Sequence, residues 1–444
     1  MGIAFLAFVI GRLGGGTSAV AVARGARLAR GRGGHRRARR DQLTLAGIAI
    51  PPLDETKHFK LIGATGTGKS TAIRELLGAA LKRGDRAVIA DPDGGYRAQF
   101  YDPLRGDVIL NPFDPDSLRW DLFAELRAPY DYEQLARSLI PEGSGSERTW
   151  RLYGQTFLAA LLRQLHGAGI TDVGELFRLI TPAEELAILI EGTPAQAFLA
   201  AGNERMFGSI RSVTGHAVAA LDFIHPQTAA PFSVRAWVRA GGGGGPGGVL
   251  FLPYRADQIA ALRSIIATWG RLAIVELMLR PSGPATGPSR EPPPCWIVVD
   301  ELDALGAIDG LKDALARLRK FGGRCVLGFQ SIAQVSTTYG HGEAQTIVEN
   351  CGNTLILRCS ASETGGTARF ASKLIGEREV IRTHISRSRS GGWLAAPRRS
   401  TTMSAQRVTE PAVLGSEIEQ LADLHGYLKL ASKAEWLTVR LSLR

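Results

Sequence analysis

The octet GATGTGKS at residues 63–70 constrains this chain more than any other stretch of it. Gly63, Gly68, Lys69 and Ser70 satisfy G-x-x-x-x-G-K-[ST], and the flanking sequence supplies the setting that pattern needs. HFKLIG (58–63) before it is a short apolar strand. After it the periodicity predicts a helix from about Lys69 to Lys82, with Ile73, Leu76, Leu77, Ala80 and Leu81 on one face and Gly84 as its stop. Glycines in such a loop let backbone N–H groups converge on phosphate oxygens, and the helix N-terminus adds partial positive charge. The expected ATP-binding residues are therefore Gly63, Ala64, Thr65, Gly66, Thr67, Gly68, Lys69, Ser70 and Thr71. Lys69 would reach the β- and γ-phosphates, and Ser70 would ligate Mg²⁺.

A loop of this kind needs an apolar strand ending in acid. CWIVVDE (295–301) within WIVVDELDAL meets that need. Asp300 would hold the magnesium through water, and Glu301 would polarise an attacking water. The adjacent second acid favours a hydrolytic motor of the RecA-like kind over a P-loop kinase or GTPase. Gln330 closes the next strand, RCVLGFQS (324–331), where its amide would touch the γ-phosphate. Arg317, Arg319, Lys320 and Arg324 surround the turn before that strand, and one of them would serve as an arginine finger across a subunit interface.

The remaining runs set the fold class. RAVIAD (86–91), DVILNPFD (107–114), VLFLPY (249–254), TLILRC (354–359), GYLKLA (426–431) and WLTVRLSL (436–443) are short apolar strands. They alternate with helical patterns, which predicts an α/β fold with a doubly wound, mostly parallel sheet. Between 117 and 235 the pattern turns helical: YEQLARSLI (132–140), TWRLYGQTFLAALLRQLH (149–166), VGELFRLI (173–180), PAEELAILIE (182–191) and MFGSIRSVTGHAVAALDFI (206–224). The expected organisation is an all-α domain at 116–235 inserted into a nucleotide-binding domain at 51–115 and 236–444. A helix is expected from about Asp257 to Leu279. GGGGGPGG (241–248) and SGPATGPSREPPP (282–294) read as irregular connections. Trp120, Trp150, Tyr153 and Phe157 fit helix-core packing better than base stacking.

Composition adds less. At 45% hydrophobic and 21% charged, the 444 residues describe a folded globular chain. The net charge of +11 suits a polyanion, nucleic acid or an acidic membrane surface. Eight arginines of that excess, however, fall in ARGARLARGRGGHRRARR (23–40). Cys295, Cys325, Cys351 and Cys359 form no C-x-x-C pair and read as small reduced core residues. Residues 1–50 read as a partial membrane segment and basic linker: GIAFLAFVI (2–10) is apolar, Arg12 interrupts, and TSAVAVA resumes at Thr17. A basic cluster directly after an apolar segment marks the cytoplasmic side of a membrane. The alternative is a start codon inside a longer reading frame, leaving a stub on an otherwise soluble cytosolic protein.

With GATGTGKS, the ADPDGG turn, VVDEL and GFQS in this order, the chain resembles the coupling proteins of conjugative type IV secretion, the TraD/TrwB kind, within the FtsK/HerA group of DNA-pumping ATPases. KHFKLIGATGTGKSTAIRELL (57–77), KRGDRAVIADPDGGY (82–96), DVILNPFDP (107–115), PEGSGSERTW (141–150) and LGSEIEQLADLHGYLKLA (414–431) carry the resemblance. It implies a RecA-like domain, a cytosol-facing all-α domain, and a homohexameric ring with ATP between subunits and single- or double-stranded DNA in the channel. It implies as partners a relaxase or relaxosome, the secretion channel proteins and the bacterial inner membrane at its cytoplasmic face. Lys69 and Ser70 match the family's Walker A pair, Asp300 and Glu301 its Walker B pair, Gln330 the glutamine of its third motif, and Arg319 a trans arginine. Two departures stand out: at most one partial span where the family has two, and no long acidic tail. A secretion ATPase recruiting protein effectors would have the same motor residues. An FtsK-like chromosomal translocase would add a C-terminal winged helix, whereas this sequence stops at Arg444.

Overall fold

The computed structural model describes residues 20–31, 42–143, 145, 147–181, 185–241, 248–280, 294–362, 365–390 and 398–443. The two irregular connections and the first 19 residues lie largely or wholly outside them.

The apolar runs assemble into one ten-stranded sheet. Its spatial order is Leu28–Arg30, Trp436–Arg440, His425–Lys429, Asn353–Ile356, Phe59–Ile62, Gly323–Phe329, Cys295–Val299, Arg86–Pro92, Val249–Tyr254 and Val108–Ile109. From Asn353–Ile356 to Val108–Ile109 every neighbouring pair is parallel. His425–Lys429 and Trp436–Arg440 then add antiparallel, and Leu28–Arg30 forms the edge, parallel to Trp436–Arg440. The strand that leads into the glycine loop is therefore central, flanked by the strands that end at Phe329 and Ile356. In a parallel sheet the loops leaving the C-terminal strand ends share one rim, and ligands bind there.

Both faces of the sheet are covered, so successive side chains enter different cores. Trp296 and Val298 pack with Phe59, Leu61, Ile73, Leu76 and Leu77, under the helix Lys69–Arg83. Ile297 and Val299 face the other way, with Ile266, Trp269 and Leu272 of the helix Ile259–Met278. DVILNPFD gives a strand only at Val108–Ile109. Pro112 has no N–H for a ladder, and Asn111 spends its amide on the Pro253 carbonyl (2.9 Å) and its carbonyl on the Phe113 N–H (2.9 Å).

The helical insertion comprises Asp131–Leu139, Glu147–Gly167, Val173–Ile180, Leu186–Leu189 and Glu204–Val218. The run expected to be helical through Ile224 ends its α-helix at Val218 and tightens into a 3-10 turn, Ala219–Phe223. At the base of the insertion, Arg119–Trp120 pairs in parallel with Pro231–Phe232. Buried Glu125 fastens this junction, accepting from the Trp120 indole (3.0 Å), the Val234 N–H (2.7 Å) and the Arg235 N–H (3.1 Å).

Two elements differ from expectation. Glu377–Ser390 and Arg398–Pro411 form a long antiparallel hairpin, in register from Glu377↔Pro411 to Ser390↔Arg398. Their Arg-, Ser- and Thr-rich sequences contain no apolar run, so the periodicity gives no strand signal there. Val20–Gly25, read from sequence as part of a resumed apolar span, is instead a strand added antiparallel to that hairpin. A bare hairpin edge offers unpaired N–H and C=O groups, and this alternating small and β-branched segment satisfies them. Among the described residues no helix is long and apolar enough to cross a membrane. All four cysteines are buried and free.

Candidate functional site

The glycine loop leaves its strand on the ligand-binding rim of the sheet and is braced from outside. The Ala64 N–H donates to the Arg358 carbonyl (2.8 Å), and the Leu424 N–H donates to the Thr67 carbonyl (3.0 Å). Gly66 and Gly68 have φ of 76° and 116°, a region L side chains rarely adopt. A Cβ on Gly68 would also lie 2.9 Å from the Leu424 side chain. The loop thus wraps back on itself and hands the chain to the helix Lys69–Arg83. Lys69 is buried, and its Nζ donates to the Gly63 (2.7 Å) and Ala64 (3.2 Å) carbonyls. Burial lowers its pKa, while Asp300 and Glu301 oppose that shift.

Ser70 meets the acidic strand directly. Its Oγ donates to Asp300 Oδ2 at 2.6 Å, and the Tyr96 hydroxyl donates to the same oxygen at 2.7 Å. Asp300 Oδ1 is buried without a protein partner. Gly328 on the adjacent strand leaves room for Asp300: a Cβ there would fall 2.3 Å from its backbone carbonyl oxygen and 3.0 Å from its carboxylate Oδ1. A serine hydroxyl beside a buried carboxylate with a spare lone-pair set is hard-oxygen chemistry, and it fits Mg²⁺ and its ligated waters.

Glu301 is partly buried one residue on. It accepts from Gln330 Nε2 at 3.2 Å, while Gln330 Oε1 accepts from Thr65 Oγ1 at 2.8 Å. The glycine loop, the glutamine and the second acid are therefore one hydrogen-bonded chain. Burial raises the Glu301 pKa, Asp300 and Asp303 raise it further, and Lys69 with the Gln330 bond oppose them.

The residues expected at the site thus converge, with one exception. Arg319 is exposed in the turn Leu318–Phe321, before a seven-residue strand whose far end adjoins Gln330. At ~3.3 Å per residue that is roughly 20 Å from its own glycine loop. Arg324 leaves the candidate set: it is buried over the Trp296 ring at 5.8 Å and pairs with Glu55 at 3.5 Å. Of the four aromatics, Trp120 and Phe157 are fully buried and Trp150 is 37% exposed. Tyr96 and the bonding role of Thr65 are not visible in motif spacing. The tyrosine arrives from a neighbouring strand, and its sequence signal is only that it follows the ADPDGG turn.

Fold and site are those of a RecA-like P-loop NTPase. The chain belongs to the family described as type IV secretion-system coupling protein DNA-binding domain, which it matches over residues 42–442. It is 31% identical over 396 residues to the coupling protein TraD of Escherichia coli K12, an alignment covering 88% of this chain and 53% of TraD. The chain thus spans about half the length of that relative. The bacterial conjugative coupling protein TrwBdeltaN70 superposes with a TM-score of 0.82 at 32% identity, covering 97% of this chain and 95% of that one. The plasmid coupling protein TrwB in complex with ADP and Mg²⁺ does so with a TM-score of 0.81 at 32% identity, covering 97% and 96%.

Proposed function

We propose that this chain is the ATP-hydrolysing motor of a conjugative coupling protein, moving DNA from a relaxosome to a type IV secretion channel. The observation that carries the proposal is the convergence of loop and acids: Ser70 on Asp300 at 2.6 Å, and Gln330 bridging Thr65 to Glu301. In this reading the backbone N–H groups from Gly63 to Thr71 hold the phosphates, and Lys69 exchanges its carbonyl partners for β- and γ-phosphate oxygens. Ser70 and Asp300 hold Mg²⁺, which when bound neutralises charge developing on the phosphates. Glu301 orients the attacking water and accepts its proton, a task its raised pKa suits. Gln330 touches both the loop and Glu301, so it reports the state of the phosphates to the acid.

The helical insertion at 116–235 is in this proposal a separate cytosolic domain. DNA is the polyanion that the +11 charge serves, a homohexamer supplies Arg319 from a neighbouring subunit, and the assembly works at the cytoplasmic face of the inner membrane. ATPase assays of the purified protein with and without single- or double-stranded DNA, at low salt, test it. DNA should raise turnover, Lys69→Ala should abolish it, and Glu301→Gln should bind ATP without hydrolysing it. Turnover indifferent to DNA would remove the translocase assignment, and turnover surviving Lys69→Ala would remove the site.

A further inference from the structure

We propose that Tyr96 is a positioning residue for the metal site, orienting Asp300 from the adjacent strand before any metal arrives. The proposal rests on the assignment of ATP and Mg²⁺ to this site.

The turn that delivers Tyr96 is built for the purpose. The strand Arg86–Pro92 ends in DPDGGY, and both Asp93 (φ 57°) and Gly94 (φ 68°) adopt the left-handed conformation. For aspartate that conformation is uncommon and costs energy, so something must hold it. The Asp93 N–H donates to the Tyr254 carbonyl (2.8 Å), tying the turn to the next strand. Asp91, fully buried, accepts the N–H groups of Tyr96 (2.9 Å) and Arg97 (2.7 Å), which fixes the start of the short helix Gly95–Phe100. The Tyr96 ring is 1% exposed, with the Arg74 guanidinium over it at 5.4 Å. Its hydroxyl is turned to the site, donating to Asp300 Oδ2 with the Ser70 hydroxyl beside it.

The consequence lies in how the carboxylate is divided. Ser70 and Tyr96 both donate to Oδ2, while Oδ1 has no protein partner. Ser70 cannot hold the carboxylate alone, because its own oxygen is the group that would turn to the metal. The Tyr96 hydroxyl donates to Asp300 Oδ2 from the opposite strand neighbour, so in this proposal its hold on Asp300 persists when Ser70 turns to the metal. Removing the phenol oxygen frees the carboxylate to rotate, and the ordering must then be supplied by metal binding. Hydrogen bonds behind metal-site groups are typically worth about 10- to 100-fold in metal affinity.

The test is Mn²⁺ binding to the full-length protein with ADP, read from the EPR signal of free Mn²⁺, which needs no turnover. Tyr96→Phe should weaken Mn²⁺ binding about tenfold, with metal-free ADP affinity within twofold of wild type. Mn²⁺ affinity unchanged in a folded Tyr96→Phe protein would overturn the proposal. Asp91→Asn loosens the turn but also removes a charge that acts on Asp300, so a loss there supports the proposal only where adding Tyr96→Phe to it causes no further loss. No loss in any variant that folds overturns it. Ser70→Ala and Asp300→Asn separate the two levels. If they weaken Mn²⁺ binding and Tyr96→Phe does not, only the role of Tyr96 fails. If they too bind Mn²⁺ normally, the metal assignment itself fails.

Discussion

Gln330 donates to Glu301 at 3.2 Å with its amide nitrogen and accepts from Thr65 at 2.8 Å with its amide oxygen. One side chain thus joins the tip of the glycine loop to the acid proposed to activate water. Gln330→Ala cuts that connection without removing a phosphate-holding group. We expect kcat to fall about 10- to 100-fold while ATP affinity stays within threefold, the pattern of an interaction made in the transition state. A matched loss of binding and turnover would make Gln330 a plain ligand contact.

The acid itself titrates unusually. Burial, then Asp300 and Asp303, raise the Glu301 pKa. A general base works when ionised, so turnover should be lost on acidification at a pH above the ordinary glutamate range. Asp303→Asn removes one of the two like charges and should move that acid limb of the kcat profile downward. An unmoved limb would mean that another group controls it.

At the start of the strand Phe59–Ile62, opposite the glycine loop, His58 accepts the Cys325 N–H at Nδ1 (3.0 Å) and, from Nε2, donates to the Leu315 carbonyl (2.9 Å). Both ring nitrogens are used by the neutral form, and burial pushes its pKa down to about 4. The folded state therefore binds this proton less readily than the unfolded chain. Its contribution is full above about pH 6.5 and is lost as pH falls through 4, an amount of about 3 kcal/mol. Urea midpoints measured between pH 4 and 7 should drop steeply for wild type and less for His58→Gln. Parallel pH dependences would exclude His58 as the cause.

These three groups differ in how visible they are in sequence. Lys69, Ser70, Asp300 and Glu301 are legible because strand–loop–helix and strand–acid patterns are local, and the central strands are legible because both their faces are buried. Gln330 is legible as a strand end, but its bond to Thr65 exists only once two strands adjoin. His58 and Tyr96 act across the sheet, where no spacing rule reaches. The hairpin Glu377–Ser390 with Arg398–Pro411 escapes for another reason: its ladder is made by backbone groups, and polar residues such as Arg378, Arg382 and Gln406 leave no apolar alternation to read.

The junction of the helical insertion rests on a buried ion pair. Arg235 Nη1 is 2.6 Å from Asp131, and both side chains are 3% exposed. Asp131 also accepts the N–H groups of Arg127 (2.9 Å) and Ala128 (2.8 Å). Asp131→Ala strands the arginine charge in the interior, which costs about 3–5 kcal/mol. Chemical denaturation should show that loss, whereas an effect below about 1 kcal/mol would place the pair in a hydrated setting.

Arg319 poses the question of assembly most sharply. It lies at the far end of the strand from its own glycine loop, roughly 20 Å away, and is exposed. If it completes a neighbour's site, each working site needs Lys69 from one subunit and Arg319 from the next. Lys69→Ala protein and Arg319→Ala protein should each be nearly inactive alone. Mixed in equal amounts and allowed to reassemble, they form interfaces in which an Arg319→Ala subunit supplies the lysine and a Lys69→Ala subunit supplies the arginine. Random assembly into a closed ring makes such interfaces roughly a quarter of the total. ATPase activity should therefore recover to about that fraction of wild type if sites fire independently. A residue acting within its own subunit predicts no recovery at all, because every site then lacks one partner. A residue without a catalytic role predicts an active Arg319→Ala protein before any mixing.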